Sequence, residues 1–233
     1  MKKKQSRIMN LIVMCLVMGF LMVMTGCATT IQQRDVSESG FLSNYSQLKK
    51  GTDEEALDVY IDQSADFASY TQMIIDPVSI VVTEDSEMAK VSAGDRQKMA
   101  DYFYAVLKKD LSEKYQIVSS PGAGTMRLRV ALTDIEESNV TMDTLTSVMP
   151  SGLAIDMITF ATTGSHTFVG SASSGMELVD SVSGKRLAAH VDARGGNKIT
   201  GEFDYSDWKD PKQACDFWAQ RVTRRLDELA GRK

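Results

Sequence analysis

An imidazole, a carboxylate and a guanidinium follow one another at a spacing of two near the carboxyl end of the chain. These are His190, Asp192 and Arg194, and Arg186 lies in phase with them. Because successive side chains of a strand point to opposite faces, all four are predicted to share one face of a sheet. Such a set could bind or hydrolyse a small ligand. We favour the alternative, a solvated hairpin face whose ion pair holds the 195–196 loop, since antiparallel sheets commonly expose one polar face.

Two further side chains are candidates for binding. Asp180 has the spacing of the apolar residues Met176 and Leu178. Its carboxylate is expected to cap the turn that follows, and a buried acid with a functional role is the alternative. Trp208 lies on the approach to the last predicted helix and is open to a recognition role. Trp218 falls within the apolar stripe of that helix and is predicted to pack in the core.

Motifs for catalysis and metal binding are not evident in the sequence. His166 and His190 are the only 2 histidines, and no further ligands cluster near either at zinc-site spacing, so no metal is expected. A triad of Ser171, His190 and Asp192 lacks the G-x-S-x-G elbow. Residues 122–124 lack the Gly-Lys-Ser/Thr of a phosphate loop. We therefore expect that the protein is not an enzyme and holds no dissociable cofactor.

The amino-terminal segment ends in a cysteine that could be modified covalently. Four basic residues precede an apolar run over 8–24, and Thr25-Gly26 lead to Cys27. A positive region, an apolar region and small residues before the cut are typical of a secretory signal. A retained transmembrane helix is the alternative, because the length of the run is borderline for spanning a bilayer.

With a cysteine at the cut, the segment resembles a bacterial lipoprotein signal. The resemblance implies a mature chain that begins at Cys27, carrying a thioether-linked diacylglycerol and an N-acyl chain such as palmitate. Aspartate after the cysteine tends to mark inner-membrane retention, and Ala28 stands there instead. The resemblance therefore implies an outer-membrane protein whose domain faces the periplasm.

Charge and cysteine content restrict the partners. The formal net charge is −5, and four basic residues leave with the signal. Such an acidic domain argues against nucleic acid, which requires many Lys and Arg contacts to phosphate, and against electrostatic docking on anionic lipids. The acyl chains would therefore attach the protein to the membrane.

Cys215 would be the only unmodified cysteine, so no intrachain disulfide is expected, and we interpret it as a small packed hydrophobe.

The pattern along the chain predicts one α+β domain over 54–233, after a signal over 1–26 and a lipidated tether over 27–53. An apolar patch of the tether is expected to dock on the domain; it consists of Phe41, Leu42, Tyr45 and Leu48. Alternation predicts strands over 57–62, 73–82, 116–120 and 125–134, with Pro77 at an edge or bulge. Small residues over 170–175 suggest close approach by another element.

A hairpin and two main helices complete the predicted elements. The hairpin pairs 168–182 with 185–194, and Gly184 supplies the positive φ of its turn. One helix covers about 93–115 with Ser92 as its cap; the other covers 211–230, capped by Asp210 and ended by Gly231. A short helix is predicted near 153–160. These elements favour a largely antiparallel sheet with two amphipathic helices packed on one face.

Several short segments resemble, in order, a family of uncharacterised bacterial lipoproteins that carry a single domain of unknown function. The segments are 39–45, 75–78, 168–172, 180–184, 191–196 and 216–219. The resemblance implies a location in the cell envelope and a shared fold, and it implies no activity.

Two functions remain open from the sequence. The first is a non-catalytic outer-membrane lipoprotein that binds an envelope protein or itself, using the strand over 168–175 or the edge near Pro77. The alternative is a periplasmic hydrolase or small-ligand-binding enzyme. That alternative requires Asp192, Arg194 and His190 to converge in a concave pocket.

Overall fold

The fold is a mixed sheet with two long helices on one face, in a computed structural model that describes residues 30–32, 38–52, 55–83, 86–136, 171–196 and 209–232. The strands are β1 (Thr30–Gln32), β2 (Lys49–Lys50), β3 (Asp58–Ile61), β4 (Gln72–Ile75), β5 (Ser79–Ile80), β6 (Gln116–Ile117), β7 (Thr125–Glu136), β8 (Ser171–Asp180) and β9 (Arg186–Gly196). The helices are α1 (Ala93–Ser112) and α2 (Lys209–Leu229). The predicted α+β class and largely antiparallel sheet are confirmed.

Three long antiparallel strands form the centre of the sheet. The order is β2-β3-β9-β8-β7-β4-β6, with β1 also paired to β9 and β5 to β7. In β7 the predicted alternation is confirmed, because Met126, Leu128 and Leu132 are buried. The hairpin between β8 and β9 is also confirmed, with Gly184 at φ 70° in its turn.

The parallel part of the sheet lies beside β7, where β4 runs parallel to both β6 and β7. The strand predicted over 73–82 is divided around Pro77 into β4 and β5. Ile75 pairs with Leu128 and Ser79 with Ala131. Three residues therefore lie between these positions on the β4–β5 segment and two on β7, so the β4–β5 segment carries one extra residue. Pro77 therefore lies at a bulge, as expected for a residue that cannot donate to the ladder.

Both helices pack on one face of the sheet and on each other. The rings of Phe103 on α1 and Trp218 on α2 are 5.7 Å apart, and both side chains are fully buried. The Ser92 cap is confirmed, since its Oγ accepts from the Asp95 N–H at 3.1 Å. α2 begins at Lys209, two residues before the predicted start. It ends at Leu229, and Gly231 has the positive φ (66°) of the predicted C-cap.

The opposite face of the sheet is covered by the chain's own amino-terminal segment. Leu42 is buried against Ala189 and Val191, and Phe41 and Tyr45 pack around it. The predicted docking of the apolar patch is thus confirmed. The described parts of 27–53 do not form a free tether, because β1 and β2 are strands of the sheet.

Close approach at the small-residue strand is confirmed at one position. A Cβ built on Gly175 would lie 3.0 Å from Cδ1 of Phe41. The approaching element is therefore this chain's own segment, and the surface proposed for a partner over 168–175 is occupied at Gly175. Residues 168–170 lie outside the described residues, as do the apolar stretch over 141–164 and its predicted short helix.

We expect Gly175→Ala to destabilise the protein by about 1–3 kcal/mol, since the new methyl group must displace the Phe41 ring. In a Phe41→Ala background the same change should cost almost nothing, because the two sites are in contact and couple. Urea unfolding followed by circular dichroism measures both values. Gly122→Ala is the control, as its Cβ would meet nothing closer than 3.6 Å. Equal costs in the two backgrounds would contradict the contact.

Candidate functional site

The predicted common face of β9 is divided by a β-bulge. Ala188 pairs with Leu178 and Arg186 with Val179, so Leu187 is an extra residue. This shift turns Arg186 to the face opposite the helices, where its Nε donates to Glu177 at 2.7 Å. The prediction that Arg186 shares a face with the other three residues is therefore wrong.

Asp192 lies on the helix face and is completely buried. Its Oδ1 accepts from the Gln32 side chain at 2.7 Å and from the Leu57 N–H at 3.3 Å. Its Oδ2 accepts from the Trp218 indole N–H at 2.9 Å. The prediction of a solvated face is wrong for Asp192 and Arg194, because α2 covers them.

Two arginines approach the same carboxylate. Nη1 of Arg194 is 3.6 Å and Nη1 of Arg221 is 3.8 Å from Oδ2 of Asp192. The Arg194 guanidinium stacks on the Phe217 ring at 3.6 Å, and that of Arg221 lies 5.3 Å from the same ring. Burial lowers the pKa of both arginines, and Asp192 opposes that shift. Arginine nonetheless stays charged near neutral pH.

His190 occupies the same face without joining this network. Its Nε2 is out of contact with solvent and has no hydrogen-bond partner among the described residues. Burial lowers the pKa of His190 to about 4, with Asp192 opposing the shift and Arg221 adding to it. The imidazole is therefore neutral near pH 7.

His190 and the two arginines line a cleft between the sheet and α2, whereas Asp192 is not part of its lining. The cleft has a volume of about 710 Å³. His190, Arg194 and Arg221 contribute polar groups to its lining, and the exposed pair Glu55–Arg225 also borders it. Much of the remaining wall is apolar and includes Met176, Leu178, Ala188, Val222, Leu226 and Leu229.

Asp180 caps the hairpin turn, as predicted. Its Oδ1 accepts from the N–H groups of Ser183 at 2.7 Å and of Val182 at 3.2 Å. The Tyr70 hydroxyl donates to its other oxygen at 3.1 Å. The hydrogen bonds from Ser183 lower the pKa of Asp180. This carboxylate is committed to the turn and lies apart from the cleft lining.

Other predicted positions lie outside the described residues or in the core. Cys27 and Trp208 are outside the described residues, and so is the second histidine of the sequence, His166. Trp218 is in the core, as expected, and so is Cys215, where burial raises the pKa of the thiol. Within the described ranges, no three His, Cys, Asp or Glu side chains are grouped to hold a metal, and no helix is long and apolar enough to cross a membrane.

Sequence reasoning missed Arg221 and Gln32. Arg221 lies three residues after Trp218 and four after Phe217 on the buried side of α2. A single arginine within the apolar stripe of a helix could have identified Arg221 as a buried charge. Gln32 carried no such signal, because its position depends on pairing between β1 and β9.

Residues 37–222 match the model of a family described as "Protein of unknown function (DUF3313)". The chain belongs to this family, and the resemblance to a family with a single domain of unknown function is confirmed. The chain is also similar to the uncharacterized lipoprotein YdcL of Escherichia coli, from strains K12 and O157:H7. In each case 25% of 205 residues are identical, over 87% of this chain and 90% of the relative.

Likenesses among solved structures are more distant. A point variant of the PelC dodecamer from Paraburkholderia phytofirmans matches with 10% identity, over 72% of this chain and 95% of the PelC chain, at a TM-score of 0.41. A DUF4136 family protein (BT2437) from Bacteroides thetaiotaomicron matches with 11% identity, over 72% of this chain and 94% of its own chain, at a TM-score of 0.36. Both scores lie below the range that indicates a shared fold.

We expect Asp192→Ala to lower the free energy of unfolding by about 3–5 kcal/mol, because it leaves two buried arginines without their shared carboxylate. Urea unfolding of the purified protein measures the loss. Asp58→Ala is the matched control, since Asp58 pairs with Val191 in the neighbouring strand and forms a surface ion pair with Lys50. That change should cost no more than about 1 kcal/mol. Similar losses for the two variants would contradict the role of Asp192.

The folded state should lose stability as the pH falls from about 6.5 towards 4. In that interval the unfolded chain protonates His190 while the folded chain, with the pKa of His190 at about 4, does not. His190→Gln should therefore flatten the dependence of the melting temperature on pH. The carboxylates titrate in both wild type and variant, so their contribution cancels when the two pH profiles are subtracted. His166→Gln serves as the control. A wild-type slope in the His190→Gln protein would show that the imidazole is not buried in its neutral form.

Proposed function

We propose that the protein is a lipid-anchored, non-catalytic binding module of the outer membrane, with its domain in the periplasm and the cleft beside Asp192 as its binding site. The observation that carries the proposal is the hydrogen bonding of Asp192. Both carboxylate oxygens accept bonds from the protein itself. A carboxylate that positions other side chains in this way supports binding better than proton transfer.

The arrangement of the other candidate base and nucleophile, His190 and Cys215, also supports a binding role rather than catalysis. A nucleophile requires a base within hydrogen-bond reach and a third group that orients the base. No hydrogen bond joins His190 to Asp192 in the described part of the chain. Cys215 is fully buried, and a buried thiol with a raised pKa is inert.

The anchor proposed at Cys27 would hold the domain close to the membrane. Thr30 is paired with Gly196 in the sheet, and it lies three positions after Cys27. Fully extended, these residues span at most about 11 Å. The lipid would therefore keep the β1 edge near the bilayer rather than give the domain a long reach. The relative YdcL, itself described as a lipoprotein, supports an anchor of this kind.

We expect Cys27→Ser to remove the protein from the outer membrane and leave it soluble in the periplasm or unprocessed, since the acyl chains supply the attachment. Membrane fractionation and immunoblotting of tagged protein measure the change. Cys215→Ser is the control, because this buried cysteine cannot carry the lipid, and it should fractionate as wild type does. Unchanged membrane attachment of the Cys27→Ser protein would refute the anchor.

The same tagged membranes test the binding role. In-cell cross-linking with mass spectrometry should yield one dominant envelope protein or links between copies of this chain. An acyl-free protein that stays monomeric and captures nothing would remove the main support for a partner protein.

A further inference from the structure

We infer that the cleft binds an anionic amphiphile, a molecule with an acyl chain and a carboxylate or phosphate head. The head lies against Arg221 and His190, and the chain lies along Leu178, Val222 and Leu226. The inference rests on the proposed function, because it names the ligand class of the same cleft.

The Arg221 guanidinium is the group that would make the cleft prefer an anionic ligand. Its side chain is only 11% exposed, and its approach to Asp192 at 3.8 Å is longer than a hydrogen bond. The same Asp192 oxygen already accepts from Trp218. No hydrogen bond from the Arg221 guanidinium is found within the described residues. The Arg221 nitrogens keep some contact with solvent, so an anionic head in the cleft would replace water with charged acceptors.

The other carboxylate near Arg221 does not serve this purpose. Glu55 influences Arg221 electrostatically, but its Oε1 is held by the Arg225 guanidinium at 3.0 Å. Arg225 in turn also pairs with Glu228 at 2.9 Å. Glu228 is also approached by Arg224 at 3.8 Å. Two carboxylates and two arginines therefore balance one another at the mouth of the cleft and leave Arg221 available to a ligand.

His190 provides a second and independent polar group. Its unpartnered Nε2 belongs to a residue of the cleft wall. A neutral imidazole has one N–H donor and one acceptor nitrogen. Because Nε2 is out of contact with solvent, the imidazole must rotate towards the cleft to donate a hydrogen bond to an oxygen of the head, and it would do so without adding a positive charge.

The apolar wall requires the ligand to carry a hydrocarbon part. Val222, Leu226 and Leu229 follow Arg221 along α2 and line the cleft opposite Leu178 and Ala188 of the sheet. The volume of about 710 Å³ lies within the roughly 300–1,000 Å³ of small-ligand sites. A free inorganic anion would leave this surface unfilled, whereas a single acyl chain covers it. Fatty acids and lysophospholipids share this chemistry.

The test is native mass spectrometry of the mature lipidated chain released from a non-ionic detergent. The probes are palmitate, lysophosphatidate, uncharged monopalmitoylglycerol and inorganic phosphate. We expect adducts with the first two, and their relative affinities distinguish a carboxylate head from a phosphate head. Arg221→Met should weaken both roughly 10- to 100-fold, as expected for hydrogen bonds to a charged group.

Three variants define the site more closely. Lys212→Met, on the same helix but exposed and outside the cleft lining, is the control and should bind as wild type does. Arg221→Lys keeps the charge and should retain part of the affinity. Val222→Trp fills the apolar part without removing charge and should also weaken binding, so the test does not depend on one variant that could misfold.

Several results would overturn the inference. Equal binding of monopalmitoylglycerol and palmitate, unaffected by Arg221→Met, would refute the anionic head. Binding of inorganic phosphate as tight as that of palmitate would refute the acyl chain. The absence of every adduct would refute the ligand class and leave the proposed function standing, because fractionation and cross-linking test the anchor and a protein partner rather than this ligand.

Discussion

The buried carboxylate of Asp192 is the interaction on which the arrangement of this domain depends. Its two oxygens join the side chain of Gln32 in β1, the backbone before β3 at Leu57, and the indole of Trp218 in α2. Since Asp192 itself belongs to β9, one side chain connects four parts of the chain that are distant in sequence. A fully satisfied polar network of this kind fixes how its elements meet. The position of α2 over the sheet, and hence the cleft, follows from it.

Local signals predicted the parts of the fold that local interactions determine. The cap at Ser92 and the turn at Gly184 each need a particular residue type within a few positions, and both are present in the structure. The capping role of Asp180 was predictable for the same reason, because its partners are two and three residues away.

The burial of Asp192 could not be predicted in this way. Alternation along a strand shows which residues share a face, but not whether a helix covers that face. Polar residues at 190, 192 and 194 therefore indicated a solvated surface. The bulge at Leu187 also leaves no mark in the sequence, and it moved Arg186 to the other side. The polar composition of 27–53 suggested a tether for a similar reason, since β1 and β2 join the sheet through backbone hydrogen bonds.

Stability alone does not explain the charges beside the cleft. Replacing a buried ion pair by well-packed apolar residues is often neutral or stabilising by about 1–4 kcal/mol. The guanidinium of Arg194 already lies 3.6 Å from the Asp192 carboxylate and offsets its charge, so a second guanidinium is not required for that purpose. Arg221 makes no close bond to that carboxylate, yet it is nearly buried and borders the cleft. The proposed anion site and the structural network would thus share one carboxylate, which lies 3.8 Å from the Arg221 guanidinium without making a close bond to it. A domain built in this way can keep a charged binding site in its interior, because the same side chain that holds the fold together also offsets part of the cost.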